Sequence, residues 1–317
     1  MRLISSPRRA LGLVAAATSA ALLLAGCGGS GASGTSGGGG QRAAGGSTQA
    51  ASTIKKDPKL AAMVPKSVKA DGKVVVATDP TYAPMEFVAK DNKTIIGVDP
   101  DLGQALGKVL GVKFQFQKAT FDAIIPGLDS GKYELGMSAF TDTKKREQIV
   151  DFVTYFKAGT SLMVPAGNPK KLSPEGMSLC GMRVAAEKGT IQSDDDIPSR
   201  SKKCKAEGKK PLEPQIYPDQ NGVNLALSTG RTDAALADSG VAAYMAKKSG
   251  DQFEVTGQPY ATAPYGVAVP KGSGDFTKVL RGAIEKLMDG GAYQKILAKW
   301  GEQDNAIQGS QINVAKS

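Results

Sequence analysis

From Lys73 onward the sequence alternates short runs of β-branched and aromatic residues with longer segments whose apolar positions recur every three or four residues. That alternation predicts strands separated by helices, the pattern of an α/β fold with a largely parallel sheet. Val74–Thr78 reads as a buried strand, Asp79–Met85 as a proline-rich loop, and Phe87–Ile96 as a hairpin around Asp91-Asn92. Asp99-Pro100 is expected to cap a helix that carries Leu102, Ala105, Leu106, Val109 and Leu110 on one face and stops at Gly111. Phe114 and Phe116 alternate on the next strand, and Phe121, Ile124, Ile125 and Leu128 share the face of another helix. Further strands are expected at Ser161–Val164, Arg183–Ala186, Gln215–Tyr217, Thr232–Leu236 and Tyr265–Val269. Helices are expected at Asn221–Ser228, Val241–Lys247 and Phe276–Met288, with a short one ending at Trp300.

Tyr133–Ala139 reads as a strand after the turn at Gly131, and Phe140–Thr143 as a loop. Asp142 or Thr143 would cap a helix carrying Arg146 and Ile149. Strand, polar loop, helix start and arginine together make an anion trap. Backbone N–H groups of the helix start and the hydroxyls of Ser138 and Thr141 are its donors, and the Arg146 guanidinium can fork onto a carboxylate. A capped helix with a solvated arginine is the competing reading, and these residues alone leave both open.

Composition removes several chemistries. The 317 residues contain no histidine, which excludes Ser-His-Asp and Cys-His catalysis and the commonest zinc sites. No G-x-x-x-x-G-K-[ST] stretch occurs, so no P-loop nucleotide site is expected. The formal charge is +10, but the basic residues are scattered apart from Lys202-Lys203, Lys205 and Lys209-Lys210. That cluster is expected in a solvated surface loop, not at a nucleic-acid site. No cofactor or metal is expected.

The start of the chain is a targeting segment. Residues 1–26 combine Arg2, Arg8 and Arg9 with an apolar stretch from Leu11 to Ala25, too short to span a bilayer comfortably. It ends in Leu-Ala-Gly-Cys27, which resembles the bacterial lipobox and implies cleavage before Cys27 and lipidation of that residue. Arg8-Arg9 is a weak twin-arginine match, so the export route stays open. Residues 27–55 form a Gly/Ser-rich tether with no apolar surface to bury. If Cys27 carries lipid, Cys180 and Cys204 remain as a pair, expected to be bonded in an exported chain.

Six motifs, in order, resemble those of the polar amino-acid-binding proteins of bacterial ABC importers, solute-binding protein family 3. Ser138-Ala-Phe-Thr141, Arg146 and Val150-Asp-Phe152 are similar to "S-G-M-T-I-T-P-E-R-x-x-x-V-D-F", with Ala139 in place of the usual glycine. Asp79-Pro-Thr-Tyr-Ala-Pro-Met-Glu-Phe87 resembles "T-D-x-x-Y-P-P-F-E-F", and Gly97–Leu102 resembles "G-F-D-V-D-L". Thr120–Leu128 resembles "W/F-D-G-L-I-P-A-L", Gly189-Thr190 the "Q-G-T" of the second lobe, and Gly230–Ser239 "G-R-x-D-A-x-x-x-D-S".

The resemblance implies a two-lobed periplasmic-binding-protein-like fold of type II, with two hinge crossings and the ligand cleft between the lobes. Lobe 1 is expected at 70–158 plus 263–305, lobe 2 at 159–262, and a C-terminal tail at 306–317, with crossings near Ala158 and Thr262. It also implies a lipid-anchored, extracytoplasmic monomer that delivers a free amino acid to an ABC permease served by a separate ATPase. In that reading Arg146, Ser138, Ala139, Thr141 and the amides of Thr190 and Ile191 hold the ligand carboxylate, and Asp238 takes the ammonium. Tyr82 and Phe121 sandwich the rest of the ligand. Helix capping is the competing role for Asp238, and a core position for Phe121.

Asp79 sits where relatives contact the ligand side chain, and Glu187 where relatives often have an apolar residue. Both facing the cleft would favour a cationic amino acid, arginine or lysine, with glutamine as the runner-up. An exposed Glu187 paired to a lysine is the competing reading. An enzyme of the same fold, such as a cyclohexadienyl- or arogenate-type dehydratase, is the alternative function, and a sensory domain a third.

Overall fold

The computed structural model describes residues 54–70 and 72–316, so the expected leader, Cys27 and nearly all of the tether lie outside the described residues. In chain order the elements are α1 (Pro58–Met63), α2 (Lys66–Lys69), β1 (Lys73–Thr78), β2 (Thr81–Tyr82), β3 (Glu86–Val88), β4 (Ile95–Ile96) and α3 (Val98–Leu110). Then come β5 (Lys113–Lys118), α4 (Phe121–Asp129), β6 (Leu135–Gly136), α5 (Lys144–Glu147), β7 (Val150–Pro165) and β8 (Arg183–Glu187). A π-helical turn (Gln192–Asp196) leads into α6 (Ile197–Ala206), followed by β9 (Glu213–Tyr217), α7 (Gln220–Ser228), β10 (Ala234–Asp238) and α8 (Ser239–Lys248). The chain closes with β11 (Phe253–Pro270), α9 (Phe276–Asp289) and α10 (Ala292–Trp300).

The main sheet runs β5-β1-β6-β11-β7-β10-β8-β9. Strand β1 is parallel to β5 and β6 at one end, and β8 is parallel to β9 and β10 at the other. Between them β7 and β11 run antiparallel from Val150↔Pro270 to Pro165↔Phe253, so each serves both halves of the molecule. The expected separate strands at Ser161–Val164 and Tyr265–Val269 are segments of these longer ones. Their ladder is irregular between Thr256 and Tyr260 and again between Tyr260 and Ala263, where Ala261 has φ +52°. The result is a mixed α/β, two-lobed fold.

Local signals account for most boundaries. Gly111 ends α3 in the left-handed region at φ +69°, and Thr143 caps α5 through an N–H bond from Arg146 to its Oγ1. Three expectations change. Asp99 does not cap α3; it lies inside the first turn, and its Oδ2 accepts the Ala139 N–H at 3.0 Å. The helix expected to reach Ile149 is a single turn, because Val150 already pairs with Pro270 on β11. The basic segment around Lys202–Lys205 is helical rather than looped: α6 carries Cys204, disulfide-bonded to Cys180 and packed against Leu179, Leu212 and Leu236.

The chain after α10 is docked. Ile312 bridges to Val153, Gln311 N–H donates to Thr154, and Asn313 bonds both Asp151 and the Phe152 N–H. The Val314 and Ala315 N–H groups then reach the carboxylates of Asp142 and Glu147 at 2.8 and 3.1 Å. These two acids flank Arg146 in sequence, so the strap braces the loop that carries it. Among the described residues no helix is long and apolar enough to cross a membrane.

Candidate ligand-binding site

Parallel strands leave their carboxyl ends on one side of the sheet, and the loops that follow them meet there. Asp79 follows β1, Phe121 opens α4 after β5, Ser138 and Ala139 follow β6, Glu187 ends β8 and Asp238 ends β10. These residues, with Tyr82, Thr141, Arg146, Thr190 and Ile191, line one small cavity. All eleven ligand residues expected from the sequence are therefore brought together. Glu86 and Gln192 also line it and were not expected. A larger, more open cavity lies beside the disulfide and shares only Thr141 and Ile191 with this set.

Several side chains are held differently from the sequence-based expectation. The Ser138 hydroxyl donates to Glu86 Oε1 at 2.9 Å and accepts the Asp79 N–H at 2.9 Å. Its one proton is spent inside the protein and is not a donor for a ligand carboxylate. The Ala139 N–H is likewise taken by Asp99, and Ala139 sits at φ +49°, in the left-handed region that glycine adopts most readily. With α5 only one turn long, helix-dipole assistance is slight, and its Arg146 and Glu147 N–H groups already bond Thr143. What remains for an anion is the guanidinium itself.

Arg146 is placed for that role. It is partly buried, donates to the Thr141 carbonyl at 2.8 Å and to the Gly189 carbonyl across the cleft at 3.0 Å. Its guanidinium carbon lies 5.3 Å from the Phe121 ring centre and 5.4 Å from that of Phe140, and these two rings stack at 4.5 Å. Burial lowers its pKa, yet an arginine keeps its charge.

Asp238 stands at the N-cap position of α8, but its side chain makes no capping bond. Its Oδ1 instead accepts from Gln192 Nε2 at 2.7 Å and its Oδ2 from the Tyr265 hydroxyl. Gln192 also donates to Thr160 Oγ1 on β7 at 3.0 Å, from within the π-helical turn. No motif or periodicity signals such a turn, so Gln192 was not legible. Glu86 was visible inside a motif, but nothing in the sequence says that its side chain turns inward.

The electrostatics are lopsided. Asp79, Glu86, Glu187 and Asp238 line the cavity and all are buried, whereas Arg146 is the only cation in its lining among the described residues. Asp79 accepts from the Thr81 hydroxyl at 2.9 Å and the Phe121 N–H at 3.0 Å, and burial pushes its pKa up to about 6. Glu187 is 2 % exposed, which sets aside the reading of it as an exposed rim residue, and its Oε1 has no hydrogen-bond partner. Burial, then the nearby Asp79, hold its pKa well above the usual carboxylate range. Behind the cavity Glu86 and Asp99 are both fully buried, and burial first of all raises the pKa of each.

The two halves of the site touch. Tyr82 Oη accepts the Asp238 N–H at 3.1 Å, Thr81 Oγ1 accepts the Gln220 N–H at 3.2 Å, and Lys188 pairs with Asp122 at 2.8 Å. Gly189 sits at this seam with φ +79°, and a Cβ there would lie 3.0 Å from the Asp122 Cβ. The left-handed backbone costs an alanine about 1–2 kcal/mol, which falls on the fold, while the Asp122 contact falls on the closed arrangement. Gly189→Ala is therefore expected to lower the melting temperature and weaken ligand binding severalfold. Affinity equal to the parent's in a calorimetric titration would show that the two residues do not approach in the complex.

Two lobes that meet around a small cavity with one arginine and four carboxyl groups define a binding protein for a small, charged solute. Residues 74–303 match the family model described as bacterial extracellular solute-binding proteins, family 3, and the chain belongs to that family. It is 36% identical over 256 residues to the arginine-binding protein ArgT of Corynebacterium glutamicum, covering 81% of this chain and 83% of that protein. It is 32% identical over 216 residues to the ABC transporter glutamine-binding protein GlnH of Bacillus subtilis, covering 67% of this chain and 75% of that one. Among solved structures, an ancestral arginine-binding protein bound to arginine aligns with a TM-score of 0.66 at 31% identity, covering 72% of this chain and 98% of the other. These relatives are named as binding proteins, not enzymes.

Proposed function

We propose that this chain is an extracytoplasmic binding protein, lipid-anchored through Cys27, that captures a basic amino acid and delivers it to an ABC permease. Arginine or lysine is the ligand, and the permease and its ATPase are separate proteins. The protein acts as a monomer, and no nucleic acid is involved. Lobe 1 (70–158 with 263–305) and lobe 2 (159–262) close on the ligand about crossings near Ala158 and Thr262. The zwitterion places its carboxylate on Arg146, with the Thr141 hydroxyl and the amides of Thr190 and Ile191 beside it, and its ammonium on Asp238. Tyr82 and Phe121 flank the alkyl chain. Ser138 and Ala139 shape the wall and hold the loop.

One observation carries the choice of ligand: Glu187 is buried in the cavity with an oxygen that has no partner. Once Arg146 and Asp238 are balanced by the zwitterion, Asp79 and Glu187 still face the ligand side chain. A cation there supplies the missing partner, whereas a second carboxylate meets like charge, a mismatch that costs several kcal/mol. The same argument weighs against a dehydratase of prephenate-like acids, whose substrates carry two carboxylates. Glutamine is the second reading, favoured by Asp79, whose oxygens can accept from a side-chain amide. A competition series against arginine, lysine, glutamine and glutamate tests the proposal, with Glu187→Gln run beside the parent. The expected order is arginine or lysine ahead of glutamine, with glutamate barely bound. A parent that prefers glutamine or glutamate, or a variant with unchanged arginine affinity, overturns it.

A further inference from the structure

The carboxyl groups of the cavity are not equivalent. Both oxygens of Asp238 are occupied by Gln192 and Tyr265, and both oxygens of Asp79 by Thr81 and the Phe121 N–H. Glu86 accepts from Ser138 and lies beside Asp99, away from the side open to a ligand side chain. Glu86 Oε2 and Glu187 Oε1 are both buried without a donor, but Glu86 lies against Asp99 behind the cavity, whereas Glu187 stands among like charges on the side open to a ligand side chain. Asp79 faces it from the end of β1, Asp219 from the start of α7, Asp238 from the end of β10 and Asp122 from α4. Asp122 is paired with Lys188, and the Tyr82 hydroxyl lies on the same side. Arg146 directs its donors to the Thr141 and Gly189 carbonyls instead. An ionised Glu187 would be a buried anion with an unpartnered oxygen, among four acids.

We propose that Glu187 is a proton-exchanging specificity residue: it carries a proton until a cationic side chain docks, and then releases that proton to solvent. This rests on the basic-amino-acid reading above. The step is balanced: the carboxylic acid and the incoming cation become a carboxylate–cation pair plus one free proton. The cation keeps its own protons and no other bond changes. Proton and ligand cation then compete for one carboxyl group.

The sign of the pH dependence follows. A cation favours the ionised form of Glu187 and so lowers its pKa on binding. Arginine affinity therefore rises by about tenfold per pH unit while Glu187 is protonated in the free protein, and levels off above that range. Glutamine offers no cation and gains nothing from the ionisation, so selectivity for arginine over glutamine itself grows with pH. Asp79 is pushed up to about 6 by burial and is ionised by neutral pH.

Calorimetry in phosphate and in Tris, two buffers of very different ionisation enthalpy, reads the released protons directly. Titrations of arginine and of glutamine across neutral pH are expected to give close to one proton released per arginine and none per glutamine. Glu187→Gln is expected to abolish the release and flatten the pH slope, and Glu285→Gln, on α9 away from the cavity, to keep both. Arginine binding without proton release in the parent, or release that persists in Glu187→Gln, would each overturn the exchange while leaving the ligand assignment intact. If arginine fails to bind at any pH, the ligand assignment falls and the exchange with it.

Discussion

Replacing Arg146 by alanine is expected to weaken amino-acid binding by about 2–5 kcal/mol, roughly thirtyfold to several thousandfold, with the fold retained. The range is that for removing one partner of a desolvated, hydrogen-bonded charge pair, and Arg146 is the only cation among the described residues lining the cavity. Without it the ligand carboxylate enters a space bounded by Asp79, Glu86, Glu187 and Asp238. Arg146→Lys should lose less, since charge survives but the two parallel donors do not. The fold should persist because Arg146 sits on a one-turn helix at the cleft and contributes to no core cluster. Titration of both variants, with melting curves as a check on folding, decides the matter. Alanine and parent affinities within threefold of one another would remove Arg146 from the carboxylate site.

Loss of the disulfide is expected to be the largest change in stability. Cys180 and Cys204 are 24 residues apart, and closing a loop of that length stabilises the folded state by about 3–4 kcal/mol on the chain-entropy account. Cys180 lies just ahead of β8 and Cys204 on α6, and Cys204 is buried among the apolar residues of the second half. A Cys180→Ser, Cys204→Ser double variant, or the reduced parent, should unfold at clearly lower denaturant. The loss belongs to the half that supplies Glu187, Gln192 and Asp238, so ligand should restore much of it by mass action. Equal denaturation midpoints for oxidised and reduced protein would show that the bridge does not constrain the unfolded chain.

Much of the fold was legible because its signals are local. Gly111 and Gly290 ended helices where expected, and the amphipathic spacing of Phe276, Val279, Leu280, Ala283, Ile284 and Leu287 gave α9, whose face is buried. The cleft residues were legible because each follows a strand end in a motif of its own. What escaped the sequence depends on contacts far apart in the chain. Asp99 looks like a cap until β6 brings the Ala139 N–H to it across 40 positions. Ser138 looks like a ligand donor until Glu86, 52 positions away, takes its proton. The continuity of β7 and β11 is set by their pairing with each other, which neither segment encodes alone. Glu187 had two open readings, and only its burial between the two halves decides between them.

The strap at residues 310–315 has a consequence for biosynthesis. The loop around Arg146 is braced on Asp142 and Glu147 by amides about 170 positions later, and the lobe that carries it also needs β11, α9 and α10. The half that supplies Glu187, Gln192 and Asp238 is built mainly from the continuous stretch from β8 to α8, whereas the loop around Arg146 is braced only when residues 310–315 arrive. Binding competence is thus acquired late in vectorial synthesis. A chain not yet complete would hold Asp238 in place while the loop around Arg146 still lacked its brace.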